Sequence, residues 1–328
     1  MASVQTTLPT RPEAPRATSG NVENIEARMD TRRHRLTLAY WLSGMLAVVA
    51  LVASAVGVFF PAVFRDTAVT AGNARGTDLV IMVVALPALV IAMALTARGS
   101  LRAQIVWLGA LSYILYNAIF FAFAVAFNPL FLVYIVVLSL ALWSLVALLM
   151  AVDVAGLRAH FTEHLPIRTI ALYLILTTAL FALTWLRDIV PALVNNTTPA
   201  SLHGTMMLAN PIQVVDFAAG FPLTILAAVW LWQRKAWGYV LAGLFLVYGV
   251  IEAISVATDQ FFGHLSDPTQ SAMMTPVFAV IAVIAVIPAV LYFRCLRRDA
   301  TATATATATA KAARRHTARV TAISWPPA

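Results

Sequence analysis

Two acidic residues, Asp216 and Glu252, lie within otherwise apolar stretches of this 328-residue chain. An ionisable side chain inside a membrane helix is costly, so its first interpretation is functional. A carboxyl in a partly dry pocket can carry a proton or bind a cation. Counted at about 1.5 Å per helical residue, Asp216 lies roughly 27 Å from Arg234 and Glu252 roughly 25 Å from Lys235. Both carboxyls are therefore predicted in the outer part of a bilayer.

Polar residues accompany Glu252 at helical spacing. One face of the predicted seventh helix carries Tyr248, Glu252, Ser255 and Asp259. A related stripe on the predicted third helix consists of Tyr113, Tyr116 and Asn117. Spacings of i, i+4, i+7 and i+11 place side chains on one helix face, so the two stripes are predicted to point inward. They are candidate ligand- or ion-binding groups.

Each candidate also has a plain structural interpretation. Glu252 is predicted about five residues from its helix end, where water could reach it, and Asp216 stands where a helix start would use it as a cap. His203, in the long external connection from residue 187 to 215, could act as an acid, a base or a ligand. A lone exposed histidine usually does none of these.

The segment from His160 to His164 spells H-x-x-E-H, the order used by inverted zinc proteases. It lies on a short polar connection before Pro166, with no further ligand or cleft in view. An ordinary polar loop is the predicted interpretation, and the sequence predicts neither a metal site nor a cofactor. The single cysteine, Cys295, excludes a disulfide framework.

The composition is that of a membrane protein. Hydrophobic residues make up 61% and charged residues 11%, and the mean hydropathy is +0.84. Crossing a bilayer as a helix needs about 20 apolar residues. Eight segments qualify: 36 to 60, 79 to 97, 104 to 126, 130 to 151, 169 to 187, 217 to 233, 236 to 257 and 276 to 293. The predicted fold is an all-α, polytopic transmembrane bundle of eight helices.

The basic residues predict the orientation. With the N-terminus inside, 19 of the 22 Lys and Arg fall in cytosolic segments, and the external ones are Arg65, Arg75 and Arg187. Both termini are thus predicted in the cytosol, with the protein in a plasma or inner membrane. The net charge of +8 is explained by this distribution of basic residues. The predicted partners are therefore membrane lipids rather than nucleic acid.

Weak self-similarity suggests two parallel four-helix repeats. Pro87 matches Pro222 and Tyr113 matches Tyr248, both at an offset of 135, which also places Asn117 opposite Glu252. The resulting division is a disordered tail over 1–35, four-helix units over 36–151 and 169–298, a linker over 152–168, and a disordered basic tail over 299–328.

Three short segments are distinctive: Tyr116-Asn117, Phe127-Asn128-Pro129-Leu130-Phe131, and Asn210-Pro211-Ile212-Gln213-Val214-Val215-Asp216. Together they resemble a group of uncharacterised bacterial polytopic membrane proteins. The resemblance implies a multi-pass membrane protein without an assigned activity. It points to the same outer-leaflet groups as the span assignment.

Three functions compete. A transporter or binding protein with an outer-leaflet site for a small molecule, lipid or ion ranks first, because interior carboxylates and kinked helices recur in transporters. A membrane enzyme acting on a lipid-like substrate is the second hypothesis, with Asp216, Glu252 and His203 as acid and base. A structural or assembly subunit is the third.

Overall fold

The computed structural model describes residues 19–269 and 271–297. Eight helices in this part are long and apolar enough to cross a membrane. They are α1 Ser19–Phe59, α2 Ala68–Ala97, α3 Leu101–Phe123, α4 Phe131–Ala151, α5 Ile167–Asn195, α6 Pro211–Trp232, α7 Ala236–Ser266 and α8 Met274–Cys295. Among the described residues there is no strand beyond one isolated β-bridge. The protein is an all-α, multi-pass integral membrane protein, which confirms the predicted bundle of eight helices.

Several helices extend beyond their predicted apolar cores. α1 begins at Ser19, so residues 19–35 are helical rather than part of a disordered tail. This correction has a simple cause, because the Glu, Arg, Ala and Met of that stretch are good helix formers. The other residues assigned to the two tails, 1–18 and 299–328, lie outside the described part of the chain.

Two helices are longer than predicted at the end of the bundle opposite the start of α1. The helix α2 begins at Ala68 instead of the predicted residue 79, and α7 ends at Ser266 instead of the predicted residue 257. Their polar turns are held by contact with each other. Gly72 and Gly76 form a G-x-x-x-G pair on α2, and a methyl group added at Gly76 would lie 2.5 Å from the Asp259 Cα atom. Small residues at this spacing let two backbones approach closely. A hydropathy count does not detect helix turns stabilised in this way.

The helices α3 and α7 form the centre of the bundle. Within their most apolar windows, 61% of α3 and 50% of α7 is buried, against 22–39% for the other six helices. The two central helices pack against each other. The outer helices instead expose large apolar side chains such as Trp41, Leu176 and Val283, as expected for surfaces that face lipid.

A π-helical turn interrupts α2 at Ile81–Ala85 and α6 at Asp216–Gly220. Each turn ends two residues before a proline, Pro87 in α2 and Pro222 in α6. Proline lacks an amide hydrogen, and a wider turn is one way a helix accommodates this. The two turns lie 135 residues apart, the offset that the sequence comparison uses. The two halves therefore share an irregularity in the same register.

Arg32 of α1 and Leu296, directly after α8, lie on the same face of the bundle, which also contains Asp153 and which we call the terminal face. Arg32 donates from Nε to the Ala151 carbonyl oxygen at 2.8 Å and forms a 3.2 Å ion pair with Asp153. Arg102, at the start of α3, donates from Nε to the Leu296 carbonyl oxygen at 2.9 Å. An even number of spans requires this arrangement.

Candidate functional site

The two central helices are joined by a buried polar contact between Asn117 of α3 and Glu252 of α7. Asn117 Nδ2 donates to Glu252 Oε2 at 3.2 Å and to the Tyr113 carbonyl oxygen at 3.2 Å. Asn117 follows Arg102 by fifteen residues, which places it roughly 23 Å from the terminal face. A carboxylate and an amide thus meet in the interior, far from the basic end of the bundle.

A second hydrogen bond joins the same two helices, between Tyr113 of α3 and Ser255 of α7. Tyr113 is fully buried, and its hydroxyl donates to Ser255 Oγ at 2.8 Å. Ser255 follows Glu252 by three residues, so both side chains use one face of α7. The predicted inward direction of the two polar stripes is therefore observed at Glu252 and Ser255.

Asp216 is buried at the start of the π turn of α6, where two neutral donors hold its carboxylate. The Tyr116 hydroxyl donates to Oδ1 at 3.0 Å, and the Trp185 indole Nε1 donates to Oδ2 at 2.8 Å. Asp216 does not cap the helix, because α6 begins at Pro211 and Asn210 accepts the amide of Ile212 at 3.0 Å. The helix-cap interpretation of Asp216 is thus wrong.

The two carboxylates are connected through aromatic rings. Tyr116 and Tyr248 lie edge to face, with ring centroids 5.5 Å apart, and Tyr248 precedes Glu252 by one helical turn. This group of neighbouring side chains, which we call the polar seam, consists of Trp185, Asp216, Tyr116, Tyr248, Glu252, Asn117, Tyr113 and Ser255. It includes six of the seven predicted site residues and draws on α3, α5, α6 and α7.

His203 is the predicted site residue that the seam does not include. Its side chain is exposed, and its Nε2 lies 3.2 Å from the Thr198 carbonyl oxygen. The connection around it is anchored instead through Asp188, which accepts from the Ser201 amide at 3.2 Å and from Gln213 Nε2 at 3.1 Å. His203 therefore has no hydrogen bond to Asp216 or Glu252.

The H-x-x-E-H segment does not form a helical metal motif. The short helix before it ends at Ala159, and Thr162 donates its amide to the Cys295 carbonyl oxygen at 2.9 Å. Phe161 forms the isolated β-bridge with Leu296. Throughout residues 19–269 and 271–297, no group of three or more His, Cys, Asp or Glu side chains is arranged to hold a metal ion.

Two residues do not stand out in the sequence: Trp185, which belongs to the seam, and Asp78, a buried carboxyl outside it. In the sequence, nothing distinguishes Trp185 from other aromatic residues of an apolar helix. Its role becomes clear only from the hydrogen bond of its indole to Asp216. Asp78 was placed just before its span, yet it lies within α2 and is only 2% exposed. The Gly72–Gly76 pair could have indicated that α2 begins earlier, since this spacing marks helix contacts in membranes.

Among the described residues, no Lys or Arg side chain forms an ion pair with Asp78, Asp216 or Glu252. Arg32 pairs with Asp153 instead, on the terminal face. Arg75, on α2, donates to the Val58 carbonyl oxygen at 3.0 Å and lies over the Phe262 ring. A buried carboxylate without a cation is expensive unless hydrogen bonds or a proton compensate it. The seam is therefore suited to taking up protons or cations.

No protein-family model, curated protein or solved structure gives a match to this chain. The side-chain geometry of the seam therefore carries the functional argument.

Proposed function

We propose that this protein is a transporter or small-molecule-binding protein of the membrane whose site is the polar seam, with Glu252 as its proton- or cation-responsive group. The observation that carries the proposal is the Asn117–Glu252 hydrogen bond between the two most buried spanning helices. Intramembrane ionisable groups that face a bundle interior recur where ions or substrates are bound.

The partners of the two carboxylates support a ligand of positive charge. Asn117, Tyr116 and Trp185 are neutral donors, so no basic side chain in the described part of the chain competes for Glu252 or Asp216. The rings of Tyr116, Tyr248 and Trp185 also offer faces that attract a cation. A proton, an alkali ion or a small amine fits this chemistry.

The charge distribution supports an outer-leaflet position for the site. The sequence predicts 19 of the 22 basic residues in segments on the side of the termini, and such residues favour the cytosol. The seam lies far from this side. We infer a multi-pass protein of the plasma or inner membrane with both termini in the cytosol and the seam toward the outer leaflet.

The shared features of the two halves fit a transporter built from two parallel four-helix units. Matching π turns precede Pro87 and Pro222, and Asn117 meets its equivalent Glu252. In such proteins, sites form at the interface between repeats, and irregular helices allow the halves to move. The alternative of a membrane enzyme has less support, because His203 binds Thr198 rather than either carboxylate.

A thermal-unfolding screen of the purified protein tests the proposal. Alkali cations, small primary amines and quaternary amines are added at two pH values, and a compound that binds the folded state raises its stability, by about 2.7 kcal/mol at 100 times its Kd. We expect at least one compound to stabilise the wild type in a pH-dependent way and to lose this dependence in Glu252→Gln.

Glu163→Gln is the matched control, since Glu163 is exposed on the connection between α4 and α5. It should behave as the wild type. An unchanged pH or ion dependence in Glu252→Gln would remove Glu252 from the proposed role.

A further inference from the structure

A second carboxyl, Asp78 of α2, is buried apart from the seam. It is 2% exposed, and its Oδ2 atom has no hydrogen-bond partner among the described residues. The atom points at the backbone of Gly57 in α1, where an added methyl group would overlap it. The absence of a side chain at Gly57 makes room for this carboxyl.

The surroundings of Asp78 contain hydroxyl groups and no paired cation. Ser54, one turn before Gly57 on α1, interacts with the carboxyl. The Tyr134 hydroxyl of α4 lies nearby and is likewise buried without a hydrogen bond, and Tyr113 of α3 is a further neighbour. The carboxyl thus contacts α1 and is close enough to hydroxyl groups of α3 and α4 to influence them electrostatically.

The nearest basic side chain, Arg75, is engaged by a partner other than Asp78. Arg75, one turn before Asp78, donates its Nε to the Val58 carbonyl oxygen. From α7, the backbone of Asp259 packs against Gly76, and Glu252 and Asp259 both act electrostatically on Tyr113, so these two residues bring negative charge toward this region. An ionised Asp78 would be an uncompensated charge in a low-dielectric interior, whereas its neutral acid leaves a single polar atom unpaired.

We propose that Asp78 is a second proton-binding site, which holds its proton in an occluded position between α1, α2, α3 and α4. It is separate from Glu252, because Glu252 accepts from Asn117 of α3, whereas the Asp78 carboxyl faces Gly57 of α1. A role for this proton in a transport cycle rests on the proposed function. The proton itself is expected on Asp78 in the protein without any ligand.

Infrared spectroscopy of the purified protein at pH 7 tests the site without any ligand. The carbonyl stretch of a protonated carboxylic acid is resolved from that of a carboxylate and shifts in heavy water. Asp78→Asn should lack a carboxylic-acid band that is present in the wild type and in Glu163→Gln. The same band should persist in Glu252→Gln. The protonation of Asp78 is therefore tested independently of the role proposed for Glu252.

Equal carboxylic-acid absorption in Asp78→Asn and the wild type would overturn the proposal, and so would a band that disappears when sodium ions are added. A second measurement covers the case in which Asp78→Asn does not fold. In protein labelled with 13C at the aspartate side-chain carboxyl, solid-state NMR should show a protonated aspartate that moves in Gly57→Ala. Gly44→Ala, on the same helix with open space around it, should leave that signal in place. No protonated aspartate, or one that does not respond to Gly57→Ala, contradicts the proposal.

Discussion

Asn117 Nδ2 lies 3.2 Å from Glu252 Oε2, and the two residues are 135 positions apart in the chain. The same interval separates Pro87 from Pro222 and the π turn of α2 from that of α6. Where two related units pack about a two-fold axis, equivalent residues near the axis contact each other. The contact fits the predicted internal duplication, and it joins α3 to α7.

The donors on Asp216 should stabilise the protein measurably. Trp185→Phe and Tyr116→Phe each remove one hydrogen bond to the carboxylate and keep most of the ring packing. Hydrogen bonds to charged groups contribute about 1.5–3 kcal/mol. We expect each substitution to lower the free energy of unfolding by an amount in this range, measured by denaturant titration in detergent. Trp232→Phe is the control, because Trp232 is 45% exposed. Losses no larger than that of the control would mean that the two bonds add nothing to stability.

The contact between α2 and α7 should not tolerate a methyl group at Gly76. In Gly76→Ala the new carbon would lie 2.5 Å from the Asp259 Cα atom and 2.8 Å from the Thr258 carbonyl oxygen. Overpacking of this kind costs about 1–3 kcal/mol. Gly249→Ala, on α7 with nothing within 4 Å, should be neutral or stabilising because alanine favours helix. Equal thermal stability of the two variants would contradict the close packing.

Much of this architecture could be predicted from the sequence, because membrane spans depend on apolar length and loop charge. The seam was partly predictable, since Tyr248, Glu252 and Ser255 follow helical spacing. Asp78 was not recognised, because the apolar run of its span begins one residue after it, and only the Gly72–Gly76 spacing indicates that the helix starts earlier. Trp185 was missed for a related reason, as its role depends on which helix lies beside it.

Asp66, which lies between α1 and α2, should make the stability of the protein depend on pH. Its Oδ1 accepts the Ala126 amide at 2.9 Å, but burial dominates and raises the pKa of Asp66 above its ordinary value of 3.8. A raised folded-state pKa contributes stability below the unfolded pKa, and this stability is lost as pH rises through the folded value. The stability of the wild type relative to Asp66→Asn should therefore fall as pH rises from about 3 to 6. Melting temperatures of both proteins across this window measure it, and a flat or rising difference would contradict the assigned direction.

The orientation of the bundle can be read from cysteine labelling in intact cells. In a Cys295→Ser background, Leu208→Cys places a thiol on the fully exposed connection before α6, and Glu163→Cys places one near the terminal face. A membrane-impermeant maleimide should label position 208 from outside. It should reach position 163 only after the cells are permeabilised. The reverse pattern would invert the topology and place the seam toward the inner leaflet.

Counting the protons exchanged when a ligand binds tests the role of Glu252 most directly. The compound that most stabilises the wild type in the thermal screen is titrated by calorimetry in two buffers of different ionisation enthalpy. The difference in binding heat gives the number of protons taken up or released. We predict a non-zero number for the wild type and for Glu163→Gln, and zero for Glu252→Gln. The same non-zero number in Glu252→Gln would contradict the proposal that Glu252 couples this site to protons or cations.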